Sequence, residues 1–485
     1  MLTAEQILAA VGDDSSSVRK RQARVGERYY EGKHDILDYR VFYIDKDGKL
    51  QEDKTKSNIR IPHAFFREIV DQEVSYVLSG GIQFQTKVPE LAEALEPYFG
   101  DVFLGELQEI LTDKVVDGFG YVYFYKDASG RTRFCHVEAE NIVEVKEGGE
   151  SDTRNDYIIR YYPVASGGTQ KPAMRIEVWD KNRTWYYLRT GSSLTLDPNV
   201  KINPLPHLLY ESEGEYYYEE ADCLPFLRID NDRKGVSGIH RIKALIDDYD
   251  IMNCGLSNNL QDIAEGIYVV KGFKGTSLDE LLWNVKSRRG IGVSEKGDLD
   301  IRTVNIPYEA RKAKMELDEK NIYRFSLSFN SAQSGDGNIT NIVIRSRYTL
   351  LEMKAKKTII RLRKLMSKLI AIAVKEINDQ NGSAYDVDDV KVIIEPVVPA
   401  DEKEDAEIEK LHVEKLREEI GALLDVQTLL DQETLIREVC RILGLDYDTV
   451  EERLRTDGEL EAVLQMLQED GDGETTAGSA EGTAV

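Results

Sequence analysis

The chain has 485 residues, with 88 Asp plus Glu against 63 Lys plus Arg and a formal net charge of −25. That length buries more than one core, so two to four domains are expected, and an acidic balance this strong excludes a protein that grips nucleic acid over its whole surface. Cys135, Cys223, Cys254 and Cys440 lie far apart with no CxxC pair and no secretory signal is read, which argues against a zinc site or a disulfide scaffold. The apolar run Leu369 to Val374 is far short of the roughly 20 residues that span a bilayer, so no membrane crossing is expected.

The N-terminal half reads as mixed α and β. Asp14 to Gly32 suggests a basic helix, and Val102 to Asp117 another with Leu104, Leu107, Ile110 and Leu111 facing inward. Strand-like segments follow at Tyr121 to Tyr125, Ile142 to Val145, Tyr157 to Tyr162, Arg175 to Trp179 and Trp185 to Leu188, separated by Gly, Asp and Ser turns. Tyr216, Tyr217 and Tyr218 suit either a base-stacking platform or the packing of strands and protein interfaces, and the second use is the commoner.

A different grammar begins at Ile239. A helix is predicted from there to Glu265, roughly 40 Å long at 1.5 Å per residue, with Ile242, Leu245, Tyr249, Met252, Leu256, Leu260 and Ile263 on one stripe expected to be buried. An insert from Gly266 to Pro307 carries a strand at Gly266 to Gly272, a short helix at Ser277 to Val285, and strand-like Ile291 to Val293 and Ile301 to Ile306. Tyr308 to Phe325 turns helical again, laced with charges at i,i+4 spacing. Asn330 to Ile339 is small, polar and glycine-containing, so it reads as a flexible loop.

From Arg345 a long helix is expected with two stripes. Lys354, Lys357, Arg361, Lys364, Lys368 and Lys375 form a basic one, and Ala355, Ile359, Leu362, Met366, Leu369 and Ala373 an apolar one. The basic stripe fits a solvated face, pairing with an acidic neighbouring subunit, or contact with nucleic acid; the acidic chain favours pairing over nucleic acid. From Ala400 to Val485 there are 25 acidic against 8 basic residues, a net of −17. Helices are read at Glu404 to Glu419, Asp431 to Gly444 and Thr449 to Gln468, followed by a tail from Asp470 without large apolar residues and of disordered composition.

Several stretches in order resemble the portal, or head-to-tail connector, proteins of tailed bacteriophages of the long-tailed siphophage type. Asn58-Ile-Arg-Ile-Pro-His63, Ile69 to Tyr76 and Leu78 to Gly81 are similar to that family's entry helix and its glycine stop. Leu224 to Asn231, Ile242 to Asp250 and Asn258 to Ala264 resemble the first stem helix and its approach. Glu319 to Phe325, Gly337-Asn338 and Ile344 to Tyr348 resemble the second stem helix, the tunnel loop and the helix after it. The chain departs from the family at Thr340-Asn341 and Ile342 to Arg345, where small Ser-Gly and an aliphatic-basic run are common. Asn tolerates a left-handed backbone, so the turn can survive.

The resemblance implies a helix-rich α+β portal fold: a wing over 1–238, a first stem helix over 239–265, a clip over 266–307 and a second stem helix over 308–329. A tunnel loop would follow over 330–344, then the long basic helix and a wing return strand over 345–400, a helical crown over 401–468 and a disordered acidic tail over 469–485. It implies a channel constriction at Ser331, Gln333, Ser334, Asp336, Asn338, Thr340 and Asn341, and a docking surface on the clip at Lys271, Lys274, Trp283, Arg288 and Arg289. The implied partners are further copies of the chain in a ring of twelve, a terminase large subunit, major capsid and scaffolding proteins, a head-completion or adaptor protein, and double-stranded DNA passing without sequence specificity. The implied location is the virion, at the capsid portal vertex, after synthesis in the host cytoplasm.

No enzyme is read from the residues. There is no GxxxxGK[ST] phosphate loop, no HExxH and no clustered His/Cys set; the histidines are scattered, and adjacent carboxylates such as Asp247-Asp248 and Asp388-Asp389 do not face one reacting centre on a helix. No cofactor or metal is expected. Cations that neutralise phosphates give tight, salt-dependent attachment, which a conduit should avoid, so the acidic composition suits passage of DNA. A scaffolding or other capsid-associated protein, or a DNA-processing enzyme, are the competing readings.

Overall fold

The structure, a computed structural model, describes residues 2–54, 56–146, 155–164, 173–212, 214–219, 223–263, 267–273, 277–283, 293–302, 307–331, 341–397, 402–425, 432–443 and 447. The chain divides into two compact units, Met1–Asp336 with Arg345–Val398, and Gly337–Ile344 with Pro399–Val485.

The chain opens with α1 (Ala4–Ser16) and α2 (Val18–Tyr30) where the sequence suggests one helix starting at Asp14. Ser17 makes the break: it is extended, and its hydroxyl accepts from the Lys20 N–H at 3.2 Å as the cap of α2. A short hairpin, β1 (Phe42–Ile44) and β2 (Leu50–Glu52), precedes an extended stretch and α3 (Phe65–Leu78). Next come β3 (Gln83–Thr86), α4 (Pro89–Phe99) and α5 (Asp101–Val116). On α5 Leu107, Ile110 and Leu111 are buried, while Phe103 rather than Leu104 takes the first inward position.

The sheets are antiparallel. β4 (Phe119–Lys126) pairs with β5 (Thr132–Val137), and β6 (Ile142–Val145), β7 (Tyr157–Val164), β8 (Ala173–Trp179), β9 (Arg183–Thr190) and β10 (Ser193–Leu196) form a meander in that order. β11 (Leu205–Pro206) joins β9, β12 (Leu208–Ser212) pairs with β13 (Glu215–Glu219), and β14 (Phe226–Asp230) closes onto β4. Tyr216, Tyr217 and Tyr218 stand on the exposed β13, and Tyr217 stacks on Tyr210 across the pair at 5.4 Å. Gly118 (φ 94°) takes a left-handed backbone and is also crowded: a Cβ there would lie 2.5 Å from the Gly235 carbonyl.

After a 3-10 turn at Gly238–Arg241, α6 runs Lys243–Ile263. Of the predicted stripe Ile242 is buried, Leu245, Tyr249, Met252 and Leu256 are half-buried and Leu260 is 59% exposed, while Ile246 and Cys254 take the buried positions on the helix. The expectation of a wholly buried stripe therefore fails. β15 (Ile267–Phe273) and β16 (Val293–Arg302) form a two-stranded ladder with α7 (Leu278–Trp283) between them. The predicted gap between Val293 and Ile301 is strand instead: β15 supplies partners to Asp298, Leu299 and Asp300, and the register shifts over 294–297 before Phe273 meets Val293.

α8 (Tyr308–Ser326) returns antiparallel beside α6. α9 spans Asn341–Asn381, 41 residues, and its stripe of Ala355, Ile359, Leu362, Met366, Leu369 and Ala373 is buried throughout. This stripe joins Phe66, Val70 and Val77 of α3, Leu107 and Ile110 of α5, and Ile246 of α6 in one core. β17 (Val390–Ile393) then comes back to pair with β3. In the second unit, α10 (Glu402–Asp425) and α11 (Gln432–Leu443) are described, with Leu435 and Cys440 buried; the predicted helix Thr449 to Gln468 and the tail lie outside the described residues.

Because Leu362 is fully buried in that core, Leu362→Ala should cost about 2–5 kcal/mol, read as a lower denaturation midpoint. Lys364→Ala, two positions along on the exposed side, should stay within about 0.5 kcal/mol. Equal effects would place the stripe outside the core.

Candidate functional site

Residues 57–63 lie extended along α6, and every second backbone N–H meets a side chain one helical turn further back. Ser57 N donates to Asp262 Oδ1 at 3.1 Å, Ile59 N to Asn258 Oδ1 at 2.6 Å, Ile61 N to Cys254 Sγ at 3.2 Å and His63 N to Asp250 Oδ1 at 3.0 Å. The match is metric: two extended residues advance about 6.6 Å and four helical ones about 6.0 Å. Pro62, which has no N–H to give, falls at a non-donating position between Ile61 and His63.

The ladder ends on Asp250, whose side chain has no solvent exposure. Its carboxylate meets His34 Nδ1 and His63 Nδ1, each at 2.7 Å, and His34 Nε2 faces the Tyr29 carbonyl at 3.2 Å. Burial pushes this carboxyl up, but the hydrogen bonds with His34 and His63 outweigh it and hold the group below the usual carboxylate range. Two histidines that read as scattered in the sequence therefore share one acid.

A second buried centre ties α3, α5 and α9. Glu73 Oε1 accepts from Lys114 Nζ at 2.7 Å and from the Thr358 hydroxyl at 2.7 Å, while Oε2 pairs with Lys354 Nζ at 2.8 Å. Burial alone would raise the Glu73 carboxyl; the two ammonium groups overcome it and hold the carboxyl well below its usual range. Glu73 forms the floor of a cavity of about 470 Å³ whose wall includes Arg241, Lys354, Lys357 and Arg361, a size usual for small-ligand pockets. Two of these cations are already paired within the lining, Lys354 with Glu73 at 2.8 Å and Arg241 with Asp232 at 3.8 Å. Leu327 on its rim ends α8 in a left-handed backbone (φ 58°, ψ 41°), at a cost of about 1–2 kcal/mol for a residue with a Cβ.

The loop entry is anchored next to these groups. Ser331 Oγ donates to Glu68 Oε1 at 2.7 Å, Tyr323 OH to Glu68 Oε2 at 2.6 Å, and Gln72 Nε2 to the Phe329 carbonyl at 2.9 Å. Of the other predicted constriction residues, Gln333, Ser334, Asp336, Asn338 and Thr340 lie outside the described residues, and Asn341 opens α9. On the insert, Lys271 sits exposed on β15 opposite Asp298, and Trp283 ends α7 at 56% exposed; Lys274, Arg288 and Arg289 lie outside the described residues.

The basic stripe of α9 splits in two. Lys354 turns inward to Glu73 and Arg361 donates to the Asp232 carbonyl at 3.3 Å, whereas Lys357, Lys364 and Lys368 are exposed with no side-chain partner among the described residues. Sequence reasoning missed Glu73, Lys114 and Asp250. An isolated carboxylate among apolar helix positions, as Glu73 is between Val70, Val74 and Val77, was the available signal. Among the described residues no group of three or more His, Cys, Asp or Glu could hold a metal ion, and no helix is long and apolar enough to cross a membrane.

The family described as phage portal protein, SPP1 Gp6-like, matches residues 13–421. The chain belongs to that family. It is 25% identical over 334 residues to the portal protein of Bacillus phage SPP1, covering 68% of this chain and 65% of that protein, which is just under two thirds of its length. It is 24% identical over 369 residues to the portal protein of Clostridium phage phiCD119, covering 72% of this chain and 78% of that one. A solved structure titled "Neck of native GTA particle computed with C12 symmetry" aligns over 79% of this chain and 90% of its own at 12% identity and a TM-score of 0.37, too low to carry an argument. The helix-rich α+β architecture is the one expected of the portal family.

The lowered carboxyl of Glu73 fixes the sign of a pH effect. Its contribution to stability is complete above the ordinary Glu value of about 4.3 and is lost as pH falls toward the lowered folded value. Glu73→Gln should destabilise by about 3–5 kcal/mol at pH 7, since it leaves buried Lys114 without its counter-charge. It should also flatten the loss of stability as pH falls through the ordinary Glu range, read by denaturant titration at each pH. An unchanged pH profile would contradict the assignment.

Proposed function

We propose that copies of this chain form a ring of twelve at one capsid vertex, the conduit through which double-stranded DNA is packaged and ejected. The observation that carries this reading is the portal-family match across residues 13–421, joined to a helix, insert, helix, loop, helix order in which Leu260 of α6 is 59% exposed. In this reading residues 1–238 are the wing, α6 and α8 the stem, 266–307 the clip, 330–344 the tunnel loop, α9 with β17 the return through the wing, 401–468 the crown and 469–485 an acidic tail. The ring belongs to the virion and is assembled in the host cytoplasm with major capsid and scaffolding proteins.

The chain acts as a structural element and not as an enzyme. ATP hydrolysis belongs to a separate terminase, whose large subunit docks on the clip around Lys271, Lys274, Trp283, Arg288 and Arg289 and is later replaced by a head-completion or adaptor protein. The constriction is the loop at Ser331 to Asn341. Polar side chains there and an acidic chain let the duplex slide, because few phosphates are neutralised. The inward turn of Lys354 onto Glu73 supports the same view, since it takes one cation of the stripe out of reach of a phosphate.

Duplex binding to the purified ring tests this reading. Weak association with a shallow dependence of log K on log salt is expected; tight binding through the lumen that falls steeply with salt would overturn the conduit. Magnesium-dependent DNA cleavage or ATPase activity in the purified chain would favour a DNA-processing enzyme instead.

A further inference from the structure

The hairpin of β1 and β2 buries nothing. All six strand positions are exposed, and Phe42, Tyr43, Ile44 and Leu50 are 53%, 50%, 72% and 66% exposed. None of the four joins a core cluster of the chain. A lone two-stranded hairpin is marginal in water, and contiguous exposed large apolar residues mark an interaction surface.

The place of the hairpin is fixed by its base. Asp53 N donates to the Val41 carbonyl at 2.8 Å, Asn58 Nδ2 to the Tyr39 carbonyl at 3.2 Å, and Ser57 N to Asp262 at 3.1 Å. The hairpin thus projects from beside the last turn of α6. At the same level the chain carries a second apolar surface. Leu260 on α6 is 59% exposed, and Tyr308, which opens the antiparallel α8, is 50% exposed. The level of Tyr308 follows from Arg311, one turn further along α8, which passes Gly255 so closely that a Cβ there would lie 3.3 Å from its guanidinium.

From Phe42 to Asp53 there are four carboxylates and two lysines, a net of −2. On the receiving side Lys312 pairs with Glu316 and Lys314 with Asp248 and Asp318, so Arg311, one turn from Tyr308, is the cation there with no ion pair among the described residues. We propose that the hairpin of one copy packs on the Leu260 and Tyr308 face of the next copy. This rests on the ring reading, with α6 and α8 running along the channel. Rotation about a ring axis carries each copy sideways without changing its level, so a protrusion and its receiving surface must lie at the same level, as these do. Two different faces meeting head to tail are also what a closed ring of more than two copies requires.

Two variants of the full chain test the contact. Phe42→Ser, Ile44→Asp and Leu50→Ser together touch only exposed positions, so the monomer should melt as the unsubstituted chain does, while the concentration needed for half-assembly rises at least tenfold by mass photometry. In a Cys223→Ser background, Ile44→Cys with Tyr308→Cys should give a ladder of covalent multimers on oxidation, and each single cysteine should give far less. Rings that form normally in the triple variant, with no ladder from the paired cysteines, overturn the inference and leave the ring reading standing. If the triple variant assembles but loses binding of an adaptor or capsid protein, the hairpin serves a different partner and the inference is equally overturned. An unsubstituted chain that stays monomeric removes both.

Discussion

Asp250, Cys254, Asn258 and Asp262 stand one turn apart on α6 and hold an extended chain by its backbone, and the position of the long helix follows from that clasp. A helix whose apolar stripe is mostly half-buried cannot be fixed by hydrophobic burial alone, because burial is non-directional. Hydrogen bonds set the register where packing leaves it free. Each bond contributes about 0.5–1.5 kcal/mol net, but the buried end of the series is worth more to specificity, since without the His34 and His63 rings the buried Asp250 carboxylate would lose two of its three hydrogen bonds. From there the order propagates. His63 and Phe65 pack edge-on to Tyr249, each at 4.9 Å, and Phe65 meets Tyr323 of α8 at 6.0 Å. Tyr323 in turn holds Glu68, which holds Ser331 at the mouth of the loop.

The second buried charge does the same for a neighbouring layer. Glu73 joins three helices that are distant in sequence, and its low-dielectric site makes the pairing all or nothing. Together the two centres join α3, α5, α6 and α9 through groups that tolerate little displacement, while Leu260, Tyr308 and the β1–β2 hairpin carry exposed apolar area. Rigidity inside and unspent contact area outside are what an assembly subunit needs. The same division explains the α9 cations. Lys354 is consumed by the interior, and Lys357, Lys364 and Lys368 are left for solvent or for a neighbour.

Much of the helical architecture was legible because helices advertise their buried face at steps of three and four. The apolar stripe of α9 was readable residue by residue, and so was the strand Ile142 to Val145, while the strand read at Arg175 to Trp179 begins two residues earlier, at Ala173. The residues 57–63 were visible only as a resemblance, since a segment that bonds through its backbone to side chains has no hydrophobic period to read. β16 escaped for a related reason: Asp298 and Asp300 are strand because Lys271 and Val269 of β15 lie opposite them. The stripe on α6 misled in the opposite way. Its periodicity states that Leu260 will be covered but not by which chain. Glu73 and Asp250 were hidden because carboxylates on helices that also carry Glu68 and Asp71, or Asp247 and Asp248, look like surface charge until the groups that bond them are brought in from other elements.

A cryo-electron microscopy reconstruction of the purified chain at helix-resolving resolution bears most directly on the ring. It should show closed rings around a central opening, with α6 and α8 lining the passage and the β15–β16 insert at one end. Monomers that persist in the presence of capsid and scaffolding proteins, or rings whose opening is lined by the β6–β10 meander with α6 and α8 outside, would contradict it.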